Sequence, residues 1–315
     1  MGPRGRVKAR TWAFGGWIAL IALAAQAAEV SGPINPPGLT GEYYAPVGAK
    51  TVPMILVLGG SEGGLAGSGP LAKRLAVEGY GALALAYFGA PGVPQTLQGV
   101  PVEYFDKGVA WLRARPEAGG RRVAVLGGSK GGEAALLVAS SNRAVCVVVA
   151  GAPSGVSWPG INPAAGRGDP GPSWTRHGQA IAYAPYDRTR PFTTIFDLYQ
   201  RSLPAAPPES FIPVEKIAGP VLFISGREDT LWPSSAMSDA MMARLDKARF
   251  KYPHQHLAYA DAGHAGFGAP VAPDNPNLRH LADFGGTVAG NQAARSDGWP
   301  KALAFLATAF RNGCR

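Results

Sequence analysis

The chain has 315 residues, of which 46% are hydrophobic and only 16% are charged, and this composition excludes a chain that is disordered over most of its length. It contains only two cysteines, which excludes a disulfide-stapled scaffold and a structural zinc site built on a Cys/His cluster. The net charge of +9 suggests nucleic acid binding, but four of the positive charges lie within residues 4–10 and the others form no dense basic stripe. We therefore expect no nucleic acid partner.

The N-terminal segment has the layout of a secretory signal peptide. A basic head at residues 4–10 precedes an apolar run at residues 12–25, and Ala25-Gln26-Ala27 fits a small-x-small cleavage site. The apolar run is shorter than the roughly 20 residues that a membrane-spanning helix needs. We expect cleavage after residue 27, export to the periplasm or the medium, and no stable membrane insertion after processing; an uncleaved membrane anchor is the alternative.

Residues 28–50 are rich in Gly and Pro and are expected to form a leader strand or an arm. Beyond them, short apolar runs alternate with helical patterns. Predicted strands cover residues 52–58, 81–87, 122–126, 144–150, 219–225 and 256–260. Predicted helices cover residues 69–78, 101–113, 130–140, 234–245 and 299–310. This alternation predicts an α/β fold with a mostly parallel central sheet and helices on both faces.

The alternation stops at residues 151–213, which are rich in Pro, Gly and aromatic residues and show no clear period. An irregular insertion of this length in an α/β domain is typical of a lid or a substrate-binding cap. The sequence contains no internal repeat and no separate linker, so we expect one domain over residues 28–315.

The residues Gly127-Gly128-Ser129-Lys130-Gly131 match the pattern G-x-S-x-G between a predicted buried strand and an apolar helix. This context is the nucleophile elbow of the α/β-hydrolase fold, in which a sharp turn between glycines exposes the serine oxygen at the carboxyl end of the sheet. We therefore expect Ser129 to be the nucleophile.

A second match, Gly59-Gly60-Ser61-Glu62-Gly63, follows the first predicted strand, and further glycines come before any helix begins. In α/β-hydrolases this position holds the loop that donates an oxyanion N–H group. We assign the oxyanion hole to the backbone N–H groups of Gly60, Ser61 and Lys130. The alternative interpretation of both motifs is a pair of tight strand–helix turns that merely require glycine.

The acid and the base of a triad follow in the order that the fold demands, serine, then acid, then histidine. Asp229 follows the strand that ends at Ser225, and His264 follows the last predicted strand. We expect His264 to accept the serine proton and Asp229 to orient the imidazole. Glu228 is the alternative acid.

The remaining candidates concern the substrate pocket and the cysteines. Trp158, Trp174 and Phe192 could line an apolar acyl pocket, or they could pack the insertion onto the domain. Cys146 lies within a predicted buried strand and Cys314 at the tail, so we expect both thiols to remain unpaired. A disulfide between them is the alternative in an exported protein. We expect no metal and no cofactor.

Four stretches carry a resemblance to a known family: residues 102–112, 126–133 with the motif S-K-G-G-E, 212–224, and 285–305 with Asp297-x-Trp299. Over roughly residues 50–310 the chain resembles the C-terminal catalytic domain of the acyl-CoA thioesterase and bile acid-CoA:amino acid N-acyltransferase family. The resemblance implies a triad of Ser129, Asp229 and His264. Family members typically carry an N-terminal β-sandwich domain, which we expect to be absent here.

The sequence therefore predicts a serine hydrolase that cleaves a small-molecule acyl thioester or carboxylic ester through an acyl-enzyme. An acyltransferase that passes the acyl group to an amine or alcohol is the alternative in the same class. Acyl-transferring members of the resembled family tend to use cysteine as the nucleophile, so the serine favours water as the acceptor. A non-catalytic binding protein is the alternative of another class.

Overall fold

The computed structural model describes residues 29–166 and 168–314, so the predicted signal segment at residues 1–27 lies outside the described residues. The strands are β1 (Gly41–Tyr44), β2 (Met54–Leu58), β3 (Gly81–Leu85), β4 (Val100–Pro101), β5 (Val123–Gly128), β6 (Val145–Gly151), β7 (Trp174–Arg176), β8 (Gln179–Ala180), β9 (Val221–Gly226) and β10 (His254–Tyr259). The helices are α1 (Ser68–Val77), α2 (Val102–Ala114), α3 (Lys130–Ser141), α4 (Ile195–Ser202), α5 (Ser234–Lys247) and α6 (Val288–Asn312). None of these helices is long and apolar enough to cross a membrane.

The central sheet has seven strands in the order β1-β3-β2-β5-β6-β9-β10. All neighbouring pairs are parallel except the edge pair β1–β3. Alternate strand residues face two hydrophobic cores, one shared with α2, α3 and α5 and the other with α1 and α6. Strands buried on both faces explain the continuously apolar runs in the sequence. The structure confirms the predicted α/β-hydrolase architecture. It also contains every strand and helix that was predicted between residues 52 and 310.

The last helix begins earlier than predicted. The prediction placed its start at residue 299, but α6 begins at Val288 and continues through Pro300. Thr287 caps the helix, because its side-chain oxygen accepts a hydrogen bond from the Gly290 N–H group at 2.8 Å. The capping residue, rather than the apolar pattern, therefore sets the start of this helix.

Residues 151–213 are here called the cap segment. They contact α3 at a buried ion pair between Lys130 and Glu133, two residues of that helix. Glu133 accepts hydrogen bonds from Lys130 Nζ at 2.8 Å, from Trp174 Nε1 at 2.6 Å and from the Trp158 N–H group at 3.2 Å. Lys130 Nζ also donates to Ser173 Oγ at 2.9 Å. Burial raises the pKa of Glu133 and lowers the pKa of Lys130, and the pairing opposes both shifts. The cap segment thus supplies donors and an acceptor that satisfy a charged pair at the start of the nucleophile helix.

The two cysteines form a disulfide, so the expectation of unpaired thiols is wrong. The Cα atoms of Cys146 and Cys314 are 5.3 Å apart, although 168 positions separate the two residues in the chain. Cys146 lies near the start of β6 and faces the core that α6 covers. The tail after α6 lies next to the start of β5, where the Arg122 N–H group donates to the Cys314 carbonyl at 3.1 Å. Burial of the strand does not separate the two thiols, because α6 packs on that face of the sheet and the tail directly after α6 brings Cys314 into the same core.

Replacing Glu133 with alanine should lower the free energy of unfolding by about 3–5 kcal/mol, because the Lys130 ammonium would remain buried without a partner. Urea unfolding followed by circular dichroism measures this change. Lys301→Ala is the matched control: it removes an ion pair with Asp297 whose side chains are about half exposed, and it should cost about 1 kcal/mol or less. Equal, small losses in the two variants would contradict the structural role of the buried pair.

Replacing both cysteines with alanine should lower the free energy of unfolding by about 2–5 kcal/mol, because the crosslink closes a long loop in the unfolded chain. Urea unfolding with and without dithiothreitol separates the crosslink from side-chain packing. Reductant should shift the midpoint of the wild-type protein and leave that of the double variant unchanged. Two thiols that react with Ellman's reagent in denatured, unreduced wild-type protein would refute the pairing.

Candidate active site

Ser129 lies on a one-residue turn between β5 and α3, and its backbone is strained. Its φ of 54° and ψ of −124° are unusual for a residue with a side chain. A Cβ atom at Gly127 would overlap the Gly131 carbonyl, and a Cβ atom at Gly131 would overlap the carbonyls of Leu58 and Gly59. The glycines of the motif are therefore required for close packing of this turn against the sheet, as the sequence predicted.

Three side chains from different loops form a hydrogen-bonded chain. Ser129 Oγ lies 2.9 Å from His264 Nε2, and His264 Nδ1 lies 2.9 Å from Asp229 Oδ2. The Asp229 side chain is only 2% exposed and the His264 side chain 11%. The structure therefore brings the three residues predicted as nucleophile, base and acid into the order that proton transfer requires.

Asp229 is held in one orientation by its own loop. Its Oδ1 accepts hydrogen bonds from the N–H groups of Leu231 at 2.9 Å and Trp232 at 3.3 Å, and its Oδ2 accepts another from Ser234 Oγ. The alternative acid, Glu228, is exposed to solvent. Of the two candidate acids, the structure thus brings Asp229 to the histidine.

The segment before α6 joins the loop that carries Asp229 to the loop that carries His264. The Phe284 carbonyl accepts hydrogen bonds from the N–H groups of Thr230 at 3.2 Å and His264 at 3.0 Å. The fully buried Asn291 side chain accepts from the Gly263 N–H group and donates to the Gly285 carbonyl. Asn291, in the first turn of α6, is the sequence signal for this contact. The predicted helix starts only at residue 299 and therefore does not include it.

Of the predicted oxyanion donors, the Gly60 N–H group already has a hydrogen-bond partner. The Gly60 N–H group donates to Glu62 Oε1 at 2.8 Å. A Cβ atom on Gly60 would lie 3.1 Å from Ser129 Cβ, so this loop packs directly against the nucleophile. Lys130 is the first residue of α3, where a backbone N–H group has no partner within the helix. The Gly60 loop and the start of α3 therefore both lie next to Ser129.

Two cavities meet at Ser129. The larger has a volume of about 880 Å³ and lies under the cap segment. Its wall combines apolar side chains, which include Phe192, Leu198 and Trp232, with polar ones, which include Arg188 and Arg190. The smaller has a volume of about 400 Å³ and lies between the Gly59–Gly60 loop and the loop that follows His264. A substrate whose reacting carbon contacts Ser129 Oγ can therefore extend in two directions.

Of the three residues predicted for an acyl pocket, one lines a cavity and two do not. Phe192 lines the larger cavity and is about half exposed. Trp158 and Trp174 line neither cavity; they are 0% and 1% exposed and bind Glu133 as described above. The two tryptophans therefore follow the alternative interpretation: they pack the insertion onto the domain. Among the described residues, no group of three or more His, Cys, Asp or Glu side chains could hold a metal ion.

Comparison with known proteins places the sequence beside acyl-CoA thioesterases. Acyl-coenzyme A thioesterase 1 of Rattus norvegicus is 30% identical over 257 residues, which cover 75% of this chain and 55% of that protein. The peroxisomal succinyl-coenzyme A thioesterase of Mus musculus is 27% identical over 300 residues, which cover 90% of this chain and 67% of that protein. The chain spans about half the length of the first of these relatives.

The fold has many solved counterparts. A dienelactone hydrolase-like promiscuous phosphotriesterase from metagenomic libraries superimposes with a TM-score of 0.53 at 17% sequence identity, covering 90% of this chain and 99% of that chain. This likeness shows the α/β-hydrolase fold. Residues 100–312 match the family described as BAAT / acyl-CoA thioester hydrolase C terminal, and since this match covers more than half of the sequence, the chain belongs to that family.

Proposed function

We propose that the protein is a serine hydrolase that cleaves carboxylic esters or acyl thioesters through an acyl-enzyme. The observation that carries this proposal is the unbroken hydrogen-bonded chain from Ser129 through His264 to Asp229. The family of the chain and the names of its relatives support the same class of bond.

In the first half of the reaction, Ser129 Oγ attacks the acyl carbonyl carbon while His264 Nε2 takes the hydroxyl proton. The buried Asp229 carboxylate accepts the Nδ1–H hydrogen bond and stabilises the imidazolium that forms. When the tetrahedral intermediate collapses, His264 gives this proton to the departing alkoxide or thiolate. The acyl group then remains on the serine as an ester.

In the second half, a water molecule loses a proton to His264 and attacks the same carbonyl carbon. Collapse releases the carboxylic acid, and the proton on His264 returns to Ser129 Oγ. An amine or alcohol in place of water would make the protein an acyltransferase by the same steps. Release of free acid in the presence of added amine distinguishes hydrolysis from transfer.

The oxyanion that forms in each half would be stabilised by the N–H groups of Lys130 and of the Gly60–Ser61 loop. The Gly60 N–H group donates to the Glu62 carboxylate in the free protein. A bound oxyanion would therefore displace this carboxylate from the donor. The other two donors need no such exchange.

The cavity under the cap segment suits the acyl chain. Its wall is mainly apolar near Trp232 and Leu198. Burial raises the pKa of Tyr186, which also lines this cavity, to about 12, so the phenol stays neutral there. An uncharged aliphatic or aromatic acyl group would gain the free energy of burial on entering it.

Replacing Ser129 with alanine should lower kcat by about 10⁴ or more, because the attacking oxygen is lost while the oxyanion donors remain. Hydrolysis of 4-nitrophenyl esters and acyl-CoAs of several chain lengths measures the loss. Labelling by a fluorophosphonate probe, read by mass spectrometry, should disappear in the same variant.

Ser61→Ala is the matched control, since Ser61 occupies the same position in the second G-x-S-x-G motif. It should retain probe labelling, because only its backbone N–H group has an assigned role. Loss of labelling in Ser61→Ala with normal labelling in Ser129→Ala would reverse the assignment of the two motifs. No labelling of the wild-type protein at Ser129 would favour a non-catalytic binding protein.

We further propose that the protein acts outside the cytoplasm after removal of residues 1–27. The basic head, the short apolar run and the Ala25-Gln26-Ala27 site motivate this location. The disulfide between Cys146 and Cys314 supports it, because structural disulfides persist mainly in oxidising compartments. CoA esters are cytosolic metabolites, so an ester other than acyl-CoA is the expected physiological substrate there.

Expression of the full chain in a Gram-negative host should give a periplasmic or secreted protein whose first residue is near Ala28. N-terminal sequencing of the purified fractions measures the cleavage position. Ala27→Leu is the matched variant, because a large residue at the cleavage site should block processing. An unprocessed wild-type protein in the cytosolic fraction would contradict the export proposal and return acyl-CoA to the head of the substrate classes.

A further inference from the structure

The smaller cavity contains a cation that no carboxylate neutralises. Arg295 on α6 lines this cavity together with Ser129 and His264. Its Nε donates to the Ala265 carbonyl at 2.7 Å and its Nη1 to the Ala269 carbonyl at 2.8 Å. Among the described residues, no Asp or Glu forms an ion pair with Arg295, and Nη2 has no hydrogen-bond acceptor.

Arg295 is only partly exposed, which makes the missing carboxylate partner notable. Removal from water lowers the pKa of Arg295 to about 10, with no neighbouring charge opposing the shift. Buried charges in proteins are normally paired, since an unpaired one loses its hydration without compensation. The buried Lys130–Glu133 pair of this same protein follows that rule.

The guanidinium group of Arg295 packs against the backbone of Gly268. A Cβ atom at Gly268 would lie 3.1–3.2 Å from three atoms of the Arg295 guanidinium group. Gly268 also lines the cavity and has a φ of +122°, a conformation that L side chains rarely adopt. The loop after His264 therefore places the guanidinium group at the cavity wall.

The position of His264 tells which part of a substrate would enter this cavity. His264 must deliver its proton to the leaving group, so the leaving group lies on the histidine side of Ser129. His264 lines the smaller cavity and is absent from the described wall of the larger one. The acyl chain would then occupy the cavity under the cap segment, and the alcohol or thiol part would occupy the cavity that holds Arg295.

We infer that Arg295 binds an anionic group, a carboxylate or a phosphate, on the leaving-group part of the substrate. The inference rests on the proposed hydrolase function and adds a specificity-determining residue to it. The free Nη2 atom supplies N–H donors for a charge-assisted hydrogen bond to an oxyanion.

The other charged groups of the cavity wall do not already serve this purpose. Arg74 is exposed and forms an ion pair with Glu78 at 2.6 Å. Glu62, the carboxylate among the described residues of this wall, is hydrogen-bonded to the Gly60 N–H group. Arg295 is thus the cation of this wall that has no anionic partner in the described chain.

The experiment compares esters that share an acetyl group and differ only in the leaving group. The substrates are 3-carboxyphenyl acetate, its neutral isostere 3-carbamoylphenyl acetate, and 3-(phosphonooxy)phenyl acetate. For the wild-type protein, kcat/KM for each anionic ester should exceed that for the neutral isostere by about tenfold or more, as a hydrogen bond between charged groups provides. The two anionic arms distinguish a carboxylate from a phosphate.

In Arg295→Gln the ratio of anionic to neutral kcat/KM should fall to about one, because glutamine retains hydrogen-bonding groups but no charge. Arg295→Lys should keep part of the preference, which a merely structural role would not explain. Arg74→Gln is the matched control, since it removes another cation of the same wall, and its ratio should equal that of the wild type. Because both kcat/KM values are measured on the same preparation, their ratio does not depend on the fraction of protein that is active.

A wild-type ratio near one for both anionic esters, in a protein that hydrolyses the neutral ester and is labelled at Ser129, would overturn the inference and leave the hydrolase function standing. A preference that survives in Arg295→Gln and disappears in Arg74→Gln would assign the anion to the other arginine. Absence of any Ser129-dependent ester turnover would instead refute the proposed function, and the inference with it.

Discussion

The turn at Ser129 is the constraint on which the site depends. The chain leaves a central strand and enters a helix through a single residue with positive φ. That turn fits only because Gly127 and Gly131 have no side chains where the backbone segments meet. The strain is maintained by packing on both sides, and its result is a side-chain oxygen that projects from the carboxyl end of the sheet. The Gly59–Gly60 loop, both cavities and His264 are arranged around that oxygen.

The acid and the base depend on a second, less obvious arrangement. They lie on loops after β9 and β10, and the segment before α6 forms hydrogen bonds to both loops through the Phe284 carbonyl. Asn291 then connects the base loop to the start of α6. The geometry of the Ser129–His264–Asp229 chain therefore depends on where α6 begins, far from the G-x-S-x-G motif in sequence.

Lys130 and Arg295 differ both in burial and in the groups that they contact. Lys130 is fully enclosed and neutralised by Glu133, and this pair attaches the cap segment to the nucleophile helix. Within the described part of the chain, Arg295 donates to two backbone carbonyls and pairs with no carboxylate, and it lies at a cavity wall. A closed, satisfied network of the first kind stabilises the fold, whereas a cation left open to a cavity can bind an anion. The contrast separates a structural charge from one available to a ligand.

The sequence alone determined the order of six strands of the central sheet and of the five helices packed on it, and it identified Ser129, Asp229 and His264 as candidates. Buried parallel strands give continuous apolar runs, and the glycines of a nucleophile elbow are required by local sterics, so both features are readable from neighbouring residues. Only the tertiary structure decided the disulfide between Cys146 and Cys314, the burial of Trp158 and Trp174, and the position of Arg295 beside His264. Each of these contacts joins residues that are far apart in the chain, and no local pattern encodes such distances. Their positions follow from how α6 and the cap segment pack on the sheet.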